Sequence, residues 1–273
     1  MSKVSISRAW EETRDILGRD GKLYATVAAA LFLLPQTVVG LATGTDRAAQ
    51  TGGTWALLLT LALVIGLVGQ VAVVRLATSH NVAVGEAIRH GVRRLPSFLG
   101  AMLLLILAIG LFVLLVAFVL VGLGAVSRNV EHLPPRDVML ITLVLLVPAL
   151  FMAVRLLPIA AVAGAEEVGP IGLIKRSWAL TRGNFGRLAG FLVLFLIAAL
   201  VLSMVMAVIG GTLSTVLFGT AAPFTLAALV MALFTAVAQA AVSLVYVVML
   251  ARIYVQLAGD GGAPSVSVPS SGT

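Results

Sequence analysis

Three arginines that close long apolar runs, Arg75, Arg155 and Arg252, and two glutamates in tandem, Glu166 and Glu167, are the side chains best placed to do chemistry. A guanidinium at the end of an apolar span has two readings. It reaches back to the water by snorkelling, or it makes forked contacts to a lipid phosphate. Arg155 suits either, because a helix beginning near Val138 carries it about 26 Å along the span, to the level of the headgroups. More cations follow in the stretch IGLIKRSWALTRGNFGR, residues 171–187, where Lys175, Arg176, Arg182 and Arg187 lie off the face shared by Ile174, Trp178, Thr181 and Phe185. The headgroup candidates are therefore Arg75, Arg155, Lys175, Arg176, Arg182, Arg187 and Arg252, with Trp10, Trp178 and Phe185 as interfacial anchors. The tandem glutamates precede Gly169-Pro170 and a helix start, where carboxylates complement the N-terminal dipole or pair with Lys175.

Other chemistries find no residues. The motif of intramembrane glutamate proteases needs an arginine where Ile171 stands. No serine–histidine arrangement placed as in rhomboid-type proteases is present, and no repeated aspartates as in alcohol phosphotransferases. With no cysteine and three scattered histidines (His80, His90, His132), neither a thiol nucleophile nor a metal site is expected. No catalytic residue, cofactor or metal is expected. The apolar spans hold no acidic side chain, only Gln36, Gln70, Gln239 and several hydroxyls, and such glutamines read as interhelical hydrogen-bond donors. No compact stretch has the basic and aromatic make-up of a nucleic-acid module.

The elements that position these groups are membrane helices. Sixty per cent of the 273 residues are apolar and 11% are charged, against roughly 25% charged in soluble domains, and mean hydropathy is +1.13. Six spans of the ~20 residues a bilayer requires are predicted: Tyr24–Ala42, Trp55–Leu76, Phe98–Leu123, Val138–Leu157, Leu188–Leu217 and Phe224–Val255. Pro35 should kink the first. Residues 1–22 lack the short apolar core and cleavage site of a signal peptide. Of the 18 lysines and arginines, 15 fall in the N-terminal segment, the second and fourth connections and the end of span 6; Arg47, Arg128 and Arg136 fall opposite. The positive-inside rule then places both termini in the cytoplasm of a bacterial inner membrane.

Three segments superpose without a gap: ISRAWEETRDILG (6–18), IRHGVRRLPSFLG (88–100) and IKRSWALTRGNFG (174–186). Each reads as an amphipathic helix lying in the interface and ending at a glycine (Gly18, Gly100, Gly186), with Pro96 bending or ending the middle one early. Two spans follow each, the second closing near an arginine. The expected architecture is an all-α polytopic protein with six transmembrane helices, three cytoplasmic-interface amphipathic helices and three helix-plus-hairpin repeats. It forms one membrane domain over 1–257 (units about 4–76, 84–157 and 170–256) with a disordered tail at 258–273.

Residues 155–190 carry Arg155, Leu157-Pro158, Glu166 or Glu167, Gly169-Pro170 and the run Lys175 to Phe185. In these the chain resembles the membrane domain that precedes the catalytic barrel in some bacterial glycerophosphodiester phosphodiesterases and also occurs alone. The barrel and its metal-binding residues are missing, so the resemblance implies no phosphodiesterase activity; it implies a membrane-embedded partner in lipid-linked processes. The functional expectation is a membrane scaffold or lipid-interacting protein whose basic helices bind anionic lipid headgroups, with a membrane-protein partner open. The alternative is a transporter or flippase for a lipid or amphiphile.

Overall fold

The computed structural model describes residues 4–44, 53–79, 82–127 and 134–259. Arg47, Arg128, His80, His132 and all but the first two residues of the expected tail lie outside them. Every described element is helical: α1 (Ile6–Ala28), a π-helical turn (Ala29–Leu33), α2 (Leu34–Thr43), α3 (Gly53–Thr78), α4 (Val84–Gly122), α5 (Pro135–Leu156), α6 (Ile159–Ala165), α7 (Pro170–Leu180), α8 (Phe185–Phe218) and α9 (Leu226–Gly259). Six runs are long and apolar enough to cross a membrane, at the six expected places.

The helix boundaries follow local chemistry, and three of them differ from expectation. Ser5 caps α1, its hydroxyl accepting from the Arg8 amide. The amphipathic segment does not stop at Gly18; it runs on into span 1 through a break at Asp20 (φ −112°, ψ 21°). Pro35 cannot donate to the carbonyl four residues back, and the π turn just ahead of it widens the helix where that carbonyl must move aside. α4 likewise runs unbroken through Pro96 and Gly100. The acceptor that Pro96 leaves unpaired is on exposed Val92, where water or headgroups can serve it. Gly100 is a packing residue: a Cβ there would sit 2.9 Å from the Pro170 ring of α7. Only the third amphipathic segment is a separate helix, α7, ended by a turn in which Gly183 takes φ +80°.

The core gathers at one end of the bundle. The largest buried cluster joins Tyr24, Phe32, Val73, Val74, Phe98, Leu173 and Val248, wrapped around the nearly solvent-free helix α6. α6 exists because Pro158 breaks span 4, and it packs against α3, α4, α7 and α9. Away from that end the spans divide. Spans 1, 2 and 6 bury 33, 39 and 28% of their apolar windows, and spans 3, 4 and 5 only 6, 11 and 6%. Inside a membrane, close packing comes from small residues. Gly40 lets α2 approach Ala232 of α9, and Gly210 lets α8 approach Phe234. The exposed faces of α4 and α5 are mostly Leu, Ile, Val and Phe, and among the described residues the two do not pack along each other. The expected second hairpin is joined at its loop end, where the Ser127 amide donates to Asp137 Oδ2 at 2.8 Å, and loose along its length.

Candidate functional site

The three segments that carry the basic residues converge at the buried end, where charged side chains join one helix to the next. Glu12 is shared: Arg8 Nε donates to its Oε1 at 2.9 Å, and Arg252 Nε of α9 donates to its Oε2 at 2.7 Å. Glu166 is shared too, its Oε1 accepting from Arg176 Nε and from the Tyr254 hydroxyl, both at 2.8 Å. Arg94 Nη2 of α4 lies 3.2 Å from Glu167 Oε1, a charge contact without hydrogen-bond alignment. The tandem glutamates therefore tie α7, α9 and α4 together, and Lys175, the expected partner, is exposed with no carboxylate among the described residues. The chain start is tied in as well: the Val4 amide donates to Asn184 Oδ1 at 3.2 Å and the Ser5 amide to Gln256 Oε1 at 3.0 Å.

Arg155, in the last turn of α5, has a different setting. Its guanidinium carbon lies 5.2 Å from the Phe151 ring centre, 5.1 Å from Trp178 and 5.7 Å from Phe185. Phe151 meets Trp178 edge-on at 5.7 Å and Phe185 at 5.4 Å, so the rings form one aromatic cage drawn from α5, α7 and α8. Arg155 Nη1 donates to Thr181 Oγ1 at 3.2 Å, while its Nε is buried without a partner among the described residues. Ser177 Oγ donates at 2.9 Å to the Arg155 carbonyl, an acceptor stranded by the helix break at Pro158. The cage holds a half-buried cation by ring quadrupoles rather than by a carboxylate.

The three span-end arginines thus have three fates. Arg252 is ion-paired, Arg155 is caged, and Arg75 is half-buried with no carboxylate partner among the described residues. Arg182 and Arg187 are exposed, with no carboxylate partner among the described residues. Trp10 is 51% exposed; Trp178 and Phe185 are half-buried in the cage. None of Gln36, Gln70 and Gln239 makes a hydrogen bond among the described residues, and Gln36 and Gln239 are exposed. Among the described residues no group of three His, Cys, Asp or Glu could hold a metal ion.

Sequence reasoning missed Phe151, Tyr254, Asn184 and Gln256. Phe151 was findable, since it stands four residues before Arg155 and shares its face. The others act across more than 80 residues of chain and leave no local signal. A family model described as "Domain of unknown function (DUF7847)" matches residues 5–257. No curated protein and no solved structure matches the chain.

Proposed function

The chain belongs to the DUF7847 family, a domain of unknown function, and from that footing we propose a non-enzymatic protein of the bacterial inner membrane that gathers anionic lipid headgroups at its cytoplasmic face. The carrying observation is a set of uncommitted cations. Arg14, Arg89, Arg93, Lys175, Arg182 and Arg187 are all exposed, and none has a carboxylate partner among the described residues. They sit on or beside the three amphipathic segments, which ion pairs and packing hold at one end of the bundle. Each such cation near an anionic leaflet is worth about 1 kcal/mol. Within the original candidate set the role narrows to Arg75, Lys175, Arg182 and Arg187, because Arg176 and Arg252 already hold carboxylates and Arg155 is caged.

The three-unit organisation belongs to the same proposal. Ala9, Gly91 and Ser177 occupy the same register position in the three superposed segments, and all three are buried. Each helps its segment approach a span that ends in one of the three arginines: α1 on α9, α4 on α3 and α7 on α5. The likeness of residues 155–190 to the membrane domain of glycerophosphodiester phosphodiesterases supports a lipid-linked role and a membrane-protein partner. In nanodiscs of mixed phosphatidylglycerol and phosphatidylcholine, the protein is expected to enrich phosphatidylglycerol around itself. The triple variant Lys175→Gln, Arg182→Gln, Arg187→Gln should lower that enrichment by more than about fivefold, the effect of losing one such cation at roughly 1 kcal/mol. Unchanged enrichment refutes the proposal.

A second reading, movement of a lipid or amphiphile across the membrane, is favoured by one observation: α4 and α5 stand apart with their apolar faces exposed.

A further inference from the structure

Within this basic end lies one acidic recess. Glu12, Asp15 and Asp20, three of the chain's 11 acidic residues, line a cavity of about 610 Å3, a volume in the range of small-molecule sites, roughly 300–1,000 Å3. The cavity occupies the wedge made where α1 breaks at Asp20. The segment before the break supplies Glu12, Asp15 and Arg19, the segment after it supplies Tyr24, and α9 supplies Arg252. Ile16, Leu23 and Leu76 give it an apolar wall.

Its charges are unequally satisfied. Arg252 holds Glu12 at 2.7 Å and Arg19 holds Asp20 at 3.0 Å, while Asp15 is exposed without a basic partner among the described residues. Each guanidinium has five N–H donors, so both arginines retain donors beyond these bonds. Tyr24 is only 3% exposed, yet it lines the cavity, and its hydroxyl has no hydrogen-bond partner among the described residues. The ring is buried and the hydroxyl faces the recess, so its hydrogen-bond partner is whatever fills the cavity, water or a ligand group. Three carboxylates against two guanidiniums disfavour a purely anionic ligand, and the presence of both signs suits a zwitterion.

We propose that this cavity binds a phosphoethanolamine group. The primary ammonium donates to the Asp15 carboxylate and the Tyr24 hydroxyl oxygen, and the phosphate oxygens accept from Arg19 and Arg252. The group arrives as the headgroup of a phospholipid whose chains lie along Ile16, Leu23 and Leu76, or as the free zwitterion. The site is separate from the exposed cations of the preceding section and does not depend on them.

The test is native mass spectrometry of the full-length protein, released from nanodiscs holding equal parts of phosphatidylethanolamine, phosphatidylcholine and phosphatidylglycerol. Phosphatidylcholine presents the same phosphate but a quaternary ammonium with no N–H donor. The expected result is about tenfold greater retention of the ethanolamine lipid over the choline lipid, the value of one or two charge-assisted hydrogen bonds. Asp15→Asn with Tyr24→Phe removes that preference, while the Lys175/Arg182/Arg187 triple variant keeps it; the two readings therefore fail independently. Adding free phosphoethanolamine distinguishes the sources. Displacement of the bound lipid shows that the group alone is recognised, and persistence of the preference without displacement identifies the lipid. Equal retention of the two lipids by the unaltered protein, or an undiminished preference in the double variant, overturns the proposal. Should the double variant melt early, Tyr24→Phe alone, which removes one oxygen, is expected to cut the preference about fivefold; no change overturns the proposal equally.

Discussion

Arg155 shows how one side chain is held without an opposite charge. Withdrawing a guanidinium from water is costly, and here the offset comes from three rings and a threonine hydroxyl. A cation–π contact contributes about 0.5–2 kcal/mol according to its desolvation. Trp178 is the ring from α7, so its removal frees both the cation and Phe151. Trp178→Ala should therefore lower unfolding free energy in detergent by about 2–4 kcal/mol. Trp10→Ala, at the same register position of the first segment but 51% exposed, should change it by about 0.5 kcal/mol or less. Denaturant titration of the two variants checks this, and equal losses would contradict the cage. The sequence made these tryptophans equivalent, since Arg8, Trp10, Thr13 and Arg14 match Arg176, Trp178, Thr181 and Arg182. Their threonines are equivalent in the structure, both fully buried. The tryptophans are not, because burial is decided by what lies opposite, and only Arg155 has a Phe one turn before it and a second Phe returning across the Gly183 turn.

Among the helices, the span positions were legible, because about twenty apolar residues in a row have few other uses. The internal breaks were legible in part. Pro35 announced an irregularity in span 1, found as a π turn just before it, and the expected end of span 4 at Leu157 falls where Pro158 breaks the helix, yet Pro96 sits in an unbroken helix. A proline breaks a helix only where its stranded carbonyl has no other donor, and burial decides that, not spacing. The role of α6 was hidden for the same reason: IAAVAGA lies beyond the predicted end of span 4 at Leu157 and carries no signal of its own, while its near-total burial depends on α3, α4, α7 and α9. Glycines divide along the same line. A Cβ on Gly91 would sit 2.8 Å from the Val68 carbonyl oxygen, a backbone atom that cannot turn aside, whereas one on Gly85 of the same helix meets nothing within 4 Å. Gly91→Ala should destabilise by about 1–3 kcal/mol, and Gly85→Ala should be neutral or stabilising by up to about 1 kcal/mol. Thermal unfolding of both in one detergent tests whether α4 docks on α3 through this glycine; equal effects would show that it does not.

For the molecule as a whole, the packed end and the loose end have different physics. Ion pairs, the cage and the buried helix α6 hold the ends of α1, α3, α4, α7 and α9 together. Along their length α4 and α5 do not pack on each other, because bulky aliphatic faces have no more affinity for each other than for lipid chains; they are joined where the Ser127 amide donates to the buried Asp137 carboxylate at 2.8 Å. A path for a headgroup across the bilayer needs polar lining at mid-depth, since an unpaired charge at the membrane centre costs at least about 2.5–3.5 kcal/mol. Two membrane-level recesses are apolar but for one threonine: one is lined by Val208, Ile209, Thr212, Leu213 and Val216, and another by Leu34, Val38, Leu58, Leu61 and Ile65 among others, with no charged residue in either. A strongly polar recess lies at the packed end, beside Arg252. Opening between α4 and α5 thus exposes hydrocarbon to hydrocarbon, which suits a protein that collects lipids at one leaflet better than one that moves them between leaflets. Proteoliposomes carrying a fluorescent phospholipid should accordingly flip it no faster than protein-free vesicles when dithionite quenching reads the outer leaflet. Flipping accelerated tenfold or more would favour the transport reading and require a polar route that this arrangement of helices does not provide.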